Sequence, residues 1–469
     1  MSTIRQRPSP PTSLPRSNPQ GNDAQMLGDL QRSTFEYFRR EVNPANGLIR
    51  DKTQPGSPSS IAALGLALSA YPVAAERDFL ARAEAAERTL TLCRFLDASD
   101  QAPHANATGY KGFFYHFLDM ETGRRVGDCE LSTVDTAILM AGVLTAASYF
   151  AEMNDAEREI RDLADSLYRR VDWQWARDGG STLTHGWKPE SGFIPYRWDY
   201  GYSEAHILYV LALGSPTFPI EPSGYREWTS TFEWRTCFGI EHLSAGPLFI
   251  HQMSQIWLDL RGIQDDLNRS RGIDYFENSR RATCVQREYG IENPQGFAHY
   301  SQYGWGLTAS DGPGDVMMDV GGVQRQFYDY FARGAPDGPD DGTISPWAVV
   351  SSLPFAPEIV IDTVRHAIER LDLARRTPYG FDASFNATFP GARRGRHGWA
   401  SPWIFGLNQG PIVLMIENYA SELVWQCAKA CPYLVEGLRR AGFRDGWIEP
   451  DVHPSPEVRA PTLRKPCSA

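Results

Sequence analysis

Apolar residues recur at helical spacing along most of this chain. Over 132–152, Ile138, Leu139, Val143 and Leu144 fall near i, i+1, i+5 and i+6, a broad apolar stripe. Over 203–213, Ile207, Leu208, Val210, Leu211 and Leu213 leave little polar surface, which predicts an internal helix. The same reasoning predicts helices over 24–41, 59–71, 78–97, 155–171, 222–235, 246–260, 273–288, 343–353, 356–373, 411–426 and 429–441. Strand alternation is weak, with short hairpins expected near 110–118 and 184–198. A dozen helices without strands suggest a solenoid or a toroid, and no 34- or 40-residue repeat supports a solenoid. The expected fold is all-α, an (α/α)₆ toroid. Two concentric rings account for helices that are apolar all round beside others that are amphipathic.

The stretch 1–23 is rich in Pro, Ser and Asn, and 446–469 is rich in Pro. Both read as tails around one domain over 24–445. Neither end carries an apolar signal segment, so the chain as given reads as cytoplasmic, or periplasmic if a signal has been trimmed. The apolar run 61–75 is too short to span a bilayer. With 46 basic against 57 acidic residues the net charge is −11. That balance disfavours nucleic acid or an anionic membrane as partner and is compatible with a neutral polysaccharide. The seven cysteines are scattered, without a CxxC pair or zinc-ligand spacing.

Long loops rich in Gly, Trp, Tyr and Asp interrupt the helices at 103–130, 173–202, 290–342 and 374–410. Loops of that length inside a compact domain usually carry function. In Gly127-Asp128-Cys129-Glu130-Leu131-Ser132-Thr133-Val134-Asp135, three carboxylates stand at the start of an apolar helix. A helix N-terminus stabilises anions. Ser132 to Asp135 also fits a capping box, so Asp135 has a structural reading beside a catalytic one. Glu130 lies outside the helix, where capping does not explain it. In Tyr202-Ser203-Glu204-Ala205-His206, Ser203 reads as the N-cap with Glu204 in the first turn, on a stripe shared with Leu208 and Leu211. Apolar surroundings raise a glutamate pKa, as a general acid requires; the plainer reading is an exposed first-turn Glu facing the dipole. The loop Tyr300 to Gly314, with Trp305 and Asp311, reads equally as a turn or as a sugar platform of aromatic faces and hydroxyl acceptors. Asp382 and Trp187 stand in loops of the same kind, while Arg393-Arg394-Gly395-Arg396-His397 reads as a solvated basic loop. HExxH, P-loop and nucleophile-elbow motifs are absent, which leaves carboxylates as the catalytic groups and points to glycoside hydrolysis.

Runs of residues in order along 28–427 resemble the glycoamylase-like family, including glycoside hydrolase family 144 and the glycoamylase-like domain of cyclic β-1,2-glucan synthases. They include Asn43-Pro44 with Gly47-Leu48-Ile49, His116-Phe117, Glu130 to Ala137, Gly201 to Ala205, Gly214 to Thr217, Trp305 to Pro313 and Glu417-Asn418-Tyr419. The resemblance implies an (α/α)₆ barrel that hydrolyses β-1,2-glucan without metal or other cofactor, from a pocket at one end. It implies Glu204 as general acid, Asp135 and Glu130 as base or water-positioning groups, and Tyr202, Trp305 and Asp311 as glucosyl contacts. Tyr300, Trp187 and Asp382 are further candidate contacts. Phe218 after the Gly-Ser-Pro-Thr turn, Asp315-Val316, and the extra residue in Asp382-Ala383-Ser384-Phe385-Asn386 depart from the family pattern. An inverting hydrolase is the leading expectation. A retaining transglycosylase and a non-catalytic glucan-binding protein are the alternatives.

Overall fold

The computed structural model describes residues 21–374, 377–390 and 398–449. Fifteen helices occupy them: α1 (Gly21–Arg40), α2 (Ile61–Glu76), α3 (Arg82–Ala98), α4 (Thr133–Tyr149), α5 (Asp155–Arg170), α6 (His206–Gly214), α7 (Pro222–Thr229), α8 (Phe249–Gln252, continued by a 3₁₀ turn, Met253–Ile256), α9 (Asp266–Arg271), α10 (Tyr275–Glu292), α11 (Pro346–Ser351), α12 (Pro357–Glu369), α13 (Gly406–Ala420), α14 (Leu423–Ala430) and α15 (Pro432–Ala441).

Six of these form a closed inner ring. α2 packs on α4, α4 on α6, and α6 on the 3₁₀ turn after α8; α11 packs on α13, and α13 on α2. Gln252 closes the remaining gap by donating Nε2 to Ala348 O and Ser352 Oγ at the end of α11, both at 2.7 Å. Sequence decides which helices go inside. Every residue of α2 from Ile61 to Ala74 is buried, and so is every residue of α6. Such helices have no polar face to offer water. The outer α5 by contrast buries a single stripe, Glu157, Ile160, Ala164, Leu167 and Tyr168, and leaves most of its other charged residues at least partly exposed. The tightest inner contact depends on two small residues. A Cβ on Gly65 would lie 2.2 Å from Ile138 O, and one on Gly142 would lie 2.0 Å from Gly65 O. Glycine at both positions lets α2 and α4 meet backbone to backbone.

Around that ring α1 covers α2 and α13, α3 and α5 pack together over α2 and α4, α10 lies on α8, and α12 lies on α11. α15 covers α6, and α7 packs on α15. α14 lies across α2, α4 and α13 and closes one end, where Trp425 donates Nε1 to Gln255 O at 2.8 Å. The all-α toroid expected from the sequence is therefore present, with short antiparallel hairpins in its loops.

The helix boundaries required corrections. Helix 203–213 starts only at His206, with Ala205 as N-cap, so Glu204 stands in the turn before the helix and Ser203 is not the cap. Residues 234 and 235, expected to end helix 222–235, instead open a strand, 234–237, paired with 240–243. Only Phe249–Ile256 of 246–260 is helical, by one α-turn and one 3₁₀ turn. The pattern over 411–426 is two helices, broken at Glu422, whose φ is +64°. Hairpin 316–327 was not legible. Gly21–Asp23, read as tail, is the first turn of α1. Gly446–Ile448, also read as tail, is a 3₁₀ turn anchored by Trp447 Nε1 on Asp259 O at 2.9 Å. The rest of both tails and the basic run Arg393–His397 lie outside the described residues. Among the described residues no helix is long and apolar enough to cross a membrane.

Candidate active site

At the end opposite α14, the N-terminal turns of the inner helices surround a cavity of about 120 Å³. Val134, Asp135 and Ile138 of α4, Glu204 ahead of α6, Phe249 and Met253 of α8 and its 3₁₀ turn, Trp347 of α11 and Leu407 of α13 line it, with Ala309 and Tyr330 from the long loops. The parallel arrangement of the inner ring directs these helix N-termini, and their positive potential, at one space. Two carboxylates share an otherwise apolar hollow. The hydrophobic segments that make the ring also make the low-dielectric surroundings of the site.

Glu204 sits in the turn that leads into α6. Ser254 fixes this turn by donating its hydroxyl to Glu204 O while accepting Ile207 N at 3.0 Å. Burial, reinforced by the charge of Asp135, pushes the Glu204 carboxyl up to about 7. Desolvation disfavours the ionised form, so the acid keeps its proton near neutrality. Asp135, in the first turn of α4, is held differently. The N-cap Ser132 accepts the Asp135 amide at 3.2 Å and donates its own hydroxyl to Asp135 Oδ2 at 2.5 Å. The cap predicted from sequence therefore exists, and the same residue presents its carboxylate to the cavity.

Glu130 joins the site through His116, which stands within the family resemblance but is given no role there. His116 places Nδ1 3.0 Å from Glu130 Oε1 and Nε2 3.7 Å from Asp135 Oδ2, while its ring stacks on Phe117 at 4.2 Å. Burial alone would lower the His116 pKa, but Asp135, Glu130 and Asp51 overcome it and raise it to about 9. The His116 hydrogen bond in turn holds Glu130 below the usual carboxylate range. Asp51 is a second omission. Burial raises it to about 6, against the pull of Lys52 and His116. Its neighbours Arg50 and Lys52 make the segment read as solvated turn, so no local signal marks it. Tyr330 and Trp347 were also missed. Tyr330 lies in the aromatic run Tyr328-Asp329-Tyr330-Phe331, a signal present within the long loop 290–342.

The expected sugar contacts divide. Tyr202 is buried in the core, stacked 6.0 Å from Tyr275 and tilted 5.0 Å from His251. Asp311 is buried; Ser401 donates to its Oδ2 at 2.6 Å, and desolvation raises its pKa. Asp382 is buried on the neighbouring segment, where Ser384 donates to Asp311 O at 2.7 Å. Trp187 pairs with Leu131 in the hairpin beside Glu130 and packs on Tyr110 at 5.4 Å. Two others belong to the core. Trp305 is fully buried and donates Nε1 to Thr363 Oγ1 at 3.2 Å, on the outer side of α11, so its face is covered by protein. Tyr300 is buried, donating to Asp340 Oδ1 at 2.6 Å, and serves as a loop anchor. None of the six expected contacts lines the cavity. Among the described residues no group of three His, Cys, Asp or Glu side chains is placed to hold a metal ion.

The family model Glycoamylase, described as "Putative glucoamylase", matches residues 195–432. A Bacteroides uniformis structure with the same description is 32% identical, covers 91% of this chain and 98% of its own, and superposes with a TM-score of 0.80. The chain belongs to the Glycoamylase family. Within reach of this Glycoamylase chain lies an endo-β-1,2-glucanase from Chitinophaga pinensis, solved with sophorotriose and glucose. It is 27% identical, with a TM-score of 0.76 and coverage of 90% of this chain and 99% of that one. An exo-β-1,2-glucooligosaccharide sophorohydrolase from Parabacteroides distasonis is 29% identical over 453 residues. The match takes in 89% of the present Glycoamylase chain and only 58% of that relative's length.

Proposed function

We propose that this protein hydrolyses β-1,2-linked glucan or its oligosaccharides, with Glu204 as general acid and Asp135 as the carboxylate that acts on the water side. One observation carries the reading. A carboxyl raised to about 7 and a second carboxylate line a single apolar cavity ringed by Trp347, Tyr330 and Phe249. A protonated Glu204 can give its proton to the glycosidic oxygen as the bond breaks. Asp135, held by Ser132 and facing His116, can polarise the attacking water. Glu130 acts through His116 and does not line the cavity. The scheme requires side chains alone, and its partner is a neutral saccharide. The β-1,2 linkage is supported by the names of the Chitinophaga and Parabacteroides relatives.

The test is a product screen on linear and cyclic β-1,2-, β-1,3- and β-1,6-glucans, with proton NMR of the first-formed anomer. Inversion is the expected outcome; retention would indicate a nucleophilic carboxylate and the transglycosylase alternative. Glu204→Gln is expected to lose at least about 10²-fold in kcat while remaining folded. Turnover of none of these glucans, with tight binding of one, would replace the reading by a non-catalytic glucan-binding protein.

A further inference from the structure

The loop 328–333 is held by a fully buried ion pair whose hydrogen bonds all serve that loop and its neighbours. Arg333 and Asp341 have no solvent-exposed side-chain surface. Arg333 Nε and Nη2 meet the two Asp341 oxygens at 2.7 and 2.8 Å. The remaining guanidinium hydrogens go to backbone carbonyls: Ser310 at 2.8 Å, Tyr328 at 3.0 Å, Asp329 at 3.2 Å and Phe331 at 3.3 Å. Asp341 Oδ2 also accepts the Tyr328 amide at 3.0 Å. These contacts fall on both sides of a single residue, Tyr330. The chain makes room for the guanidinium at Gly312, where a Cβ would lie 2.1 Å from Arg333 Nη2.

Tyr330 is the residue so bracketed. It lines the cavity with Glu204 and Asp135, yet 49% of its surface is exposed. Its ring stands 6.0 Å from Phe405, and desolvation, with the charges of Asp51, Asp135 and Asp311, raises its pKa. A ring open on one side at the lip of a carboxylate cavity offers a face for the apolar side of a pyranose. Burying an arginine so completely is costly unless every donor is used, as here. The pair therefore fixes a loop that has little apolar core of its own.

We propose that Tyr330 is a substrate-positioning residue that seats a glucosyl unit beside Glu204 and Asp135, and that Arg333 positions Tyr330. The inference rests on the glucan-hydrolase reading and assigns part of its binding site.

The experiment measures kcat and KM on β-1,2-glucooligosaccharides, with thermal unfolding of each variant. Tyr330→Ala is expected to raise KM about five- to tenfold with kcat changed less than about twofold, and Tyr330→Phe to restore most of the loss. Arg333→Met is expected to raise KM too, but to add nothing when Tyr330 is already Ala. Should Arg333→Met not fold, Gly312→Ala disturbs the same guanidinium and is read in the same cycle. Calorimetric titration of β-1,2-glucooligosaccharides into Glu204→Gln, with and without Tyr330→Ala, reads binding without turnover. Unchanged KM and affinity in Tyr330→Ala would overturn the assignment of Tyr330. Additive effects of Arg333 or Gly312 with Tyr330→Ala would overturn the positioning role. Failure of the underlying reading would show instead in the wild type, as no turnover of any β-1,2-glucan.

Discussion

The imidazole of His116 stands between two acids, 3.0 Å from Glu130 and 3.7 Å from Asp135. This contact joins Glu130, which lies outside the cavity, to Asp135, which lines it. Its pKa of about 9 keeps His116 cationic at neutral pH.

The His116 charge predicts a pH-dependent stability. Its folded pKa, about 9, is above its ordinary 6.5. The contribution is therefore fully present below about pH 6.5 and is lost as pH rises through 9. Urea unfolding of wild type and His116→Gln should differ at pH 6, with the gap narrowing by pH 9.5. A constant gap would show that the imidazole is not charged by Glu130, Asp135 and Asp51.

Glu204 sets an alkaline limit on activity. The acid works only while protonated, and it is raised to about 7. kcat/KM should fall with an inflection near pH 7, and the fall should be missing from the residual activity of Glu204→Gln. The stability effect has the opposite sign to that of a salt-bridged carboxylate. With the folded pKa above the ordinary 4.5, stability is lost as pH rises from about 4.5 through 7, and the loss levels off above 7. Glu204→Gln should therefore be more stable than wild type at pH 8, and the gain should vanish at pH 4. Equal stability at both pH values would contradict a buried, protonated Glu204.

Two ion pairs should differ sharply. Asp341→Ala leaves Arg333 buried and unpaired, which should cost about 3–5 kcal/mol. Glu159→Ala removes the partner of Arg94 on the surface, where the side chains are 58% and 40% exposed, and should leave the unfolding midpoint almost unchanged. Denaturant unfolding of the two variants checks the contrast.

Two tryptophans separate core from site. Trp305, bonded to Thr363 in the core, should lose about 3–5 kcal/mol of stability on substitution by Ala. Trp305→Phe should lower the unfolding midpoint and leave KM unchanged. Trp347 lines the cavity, and its buried Nε1 has no protein acceptor. Its ring forms part of the cavity wall, so Trp347→Ala should raise KM about fivefold through the lost wall. A KM change in Trp305→Phe alone would reverse the two assignments.

Local pattern was enough to find α4 and α6, because a helix buried all round must be apolar all round. It was also enough to place Ser132 as the cap of α4, because capping is a contact between residues three apart. The same locality explains the failure at Ser203. The turn before α6 is held by Ser254, fifty residues later, and no neighbouring residue records that. Trp305 and Tyr300 were placed in a sugar platform because aromatics in a Gly-rich loop look alike whether they face ligand or core. The partners that decide between these are Thr363 and Asp340.

By itself the sequence determined most of the helices, the internal position of α6 and the carboxylates at two helix starts, since periodicity and capping are read from near neighbours. Tertiary structure alone decided that Glu204 and Asp135 share one hollow, that His116 and Asp51 adjoin Asp135, and that Arg333 holds Tyr330 at the lip. Those relations depend on ring closure, which brings residues 51, 116, 135, 204 and 330 to one end of the barrel. Desolvation and charge there act through space, over distances on which the order of residues along the chain carries no information.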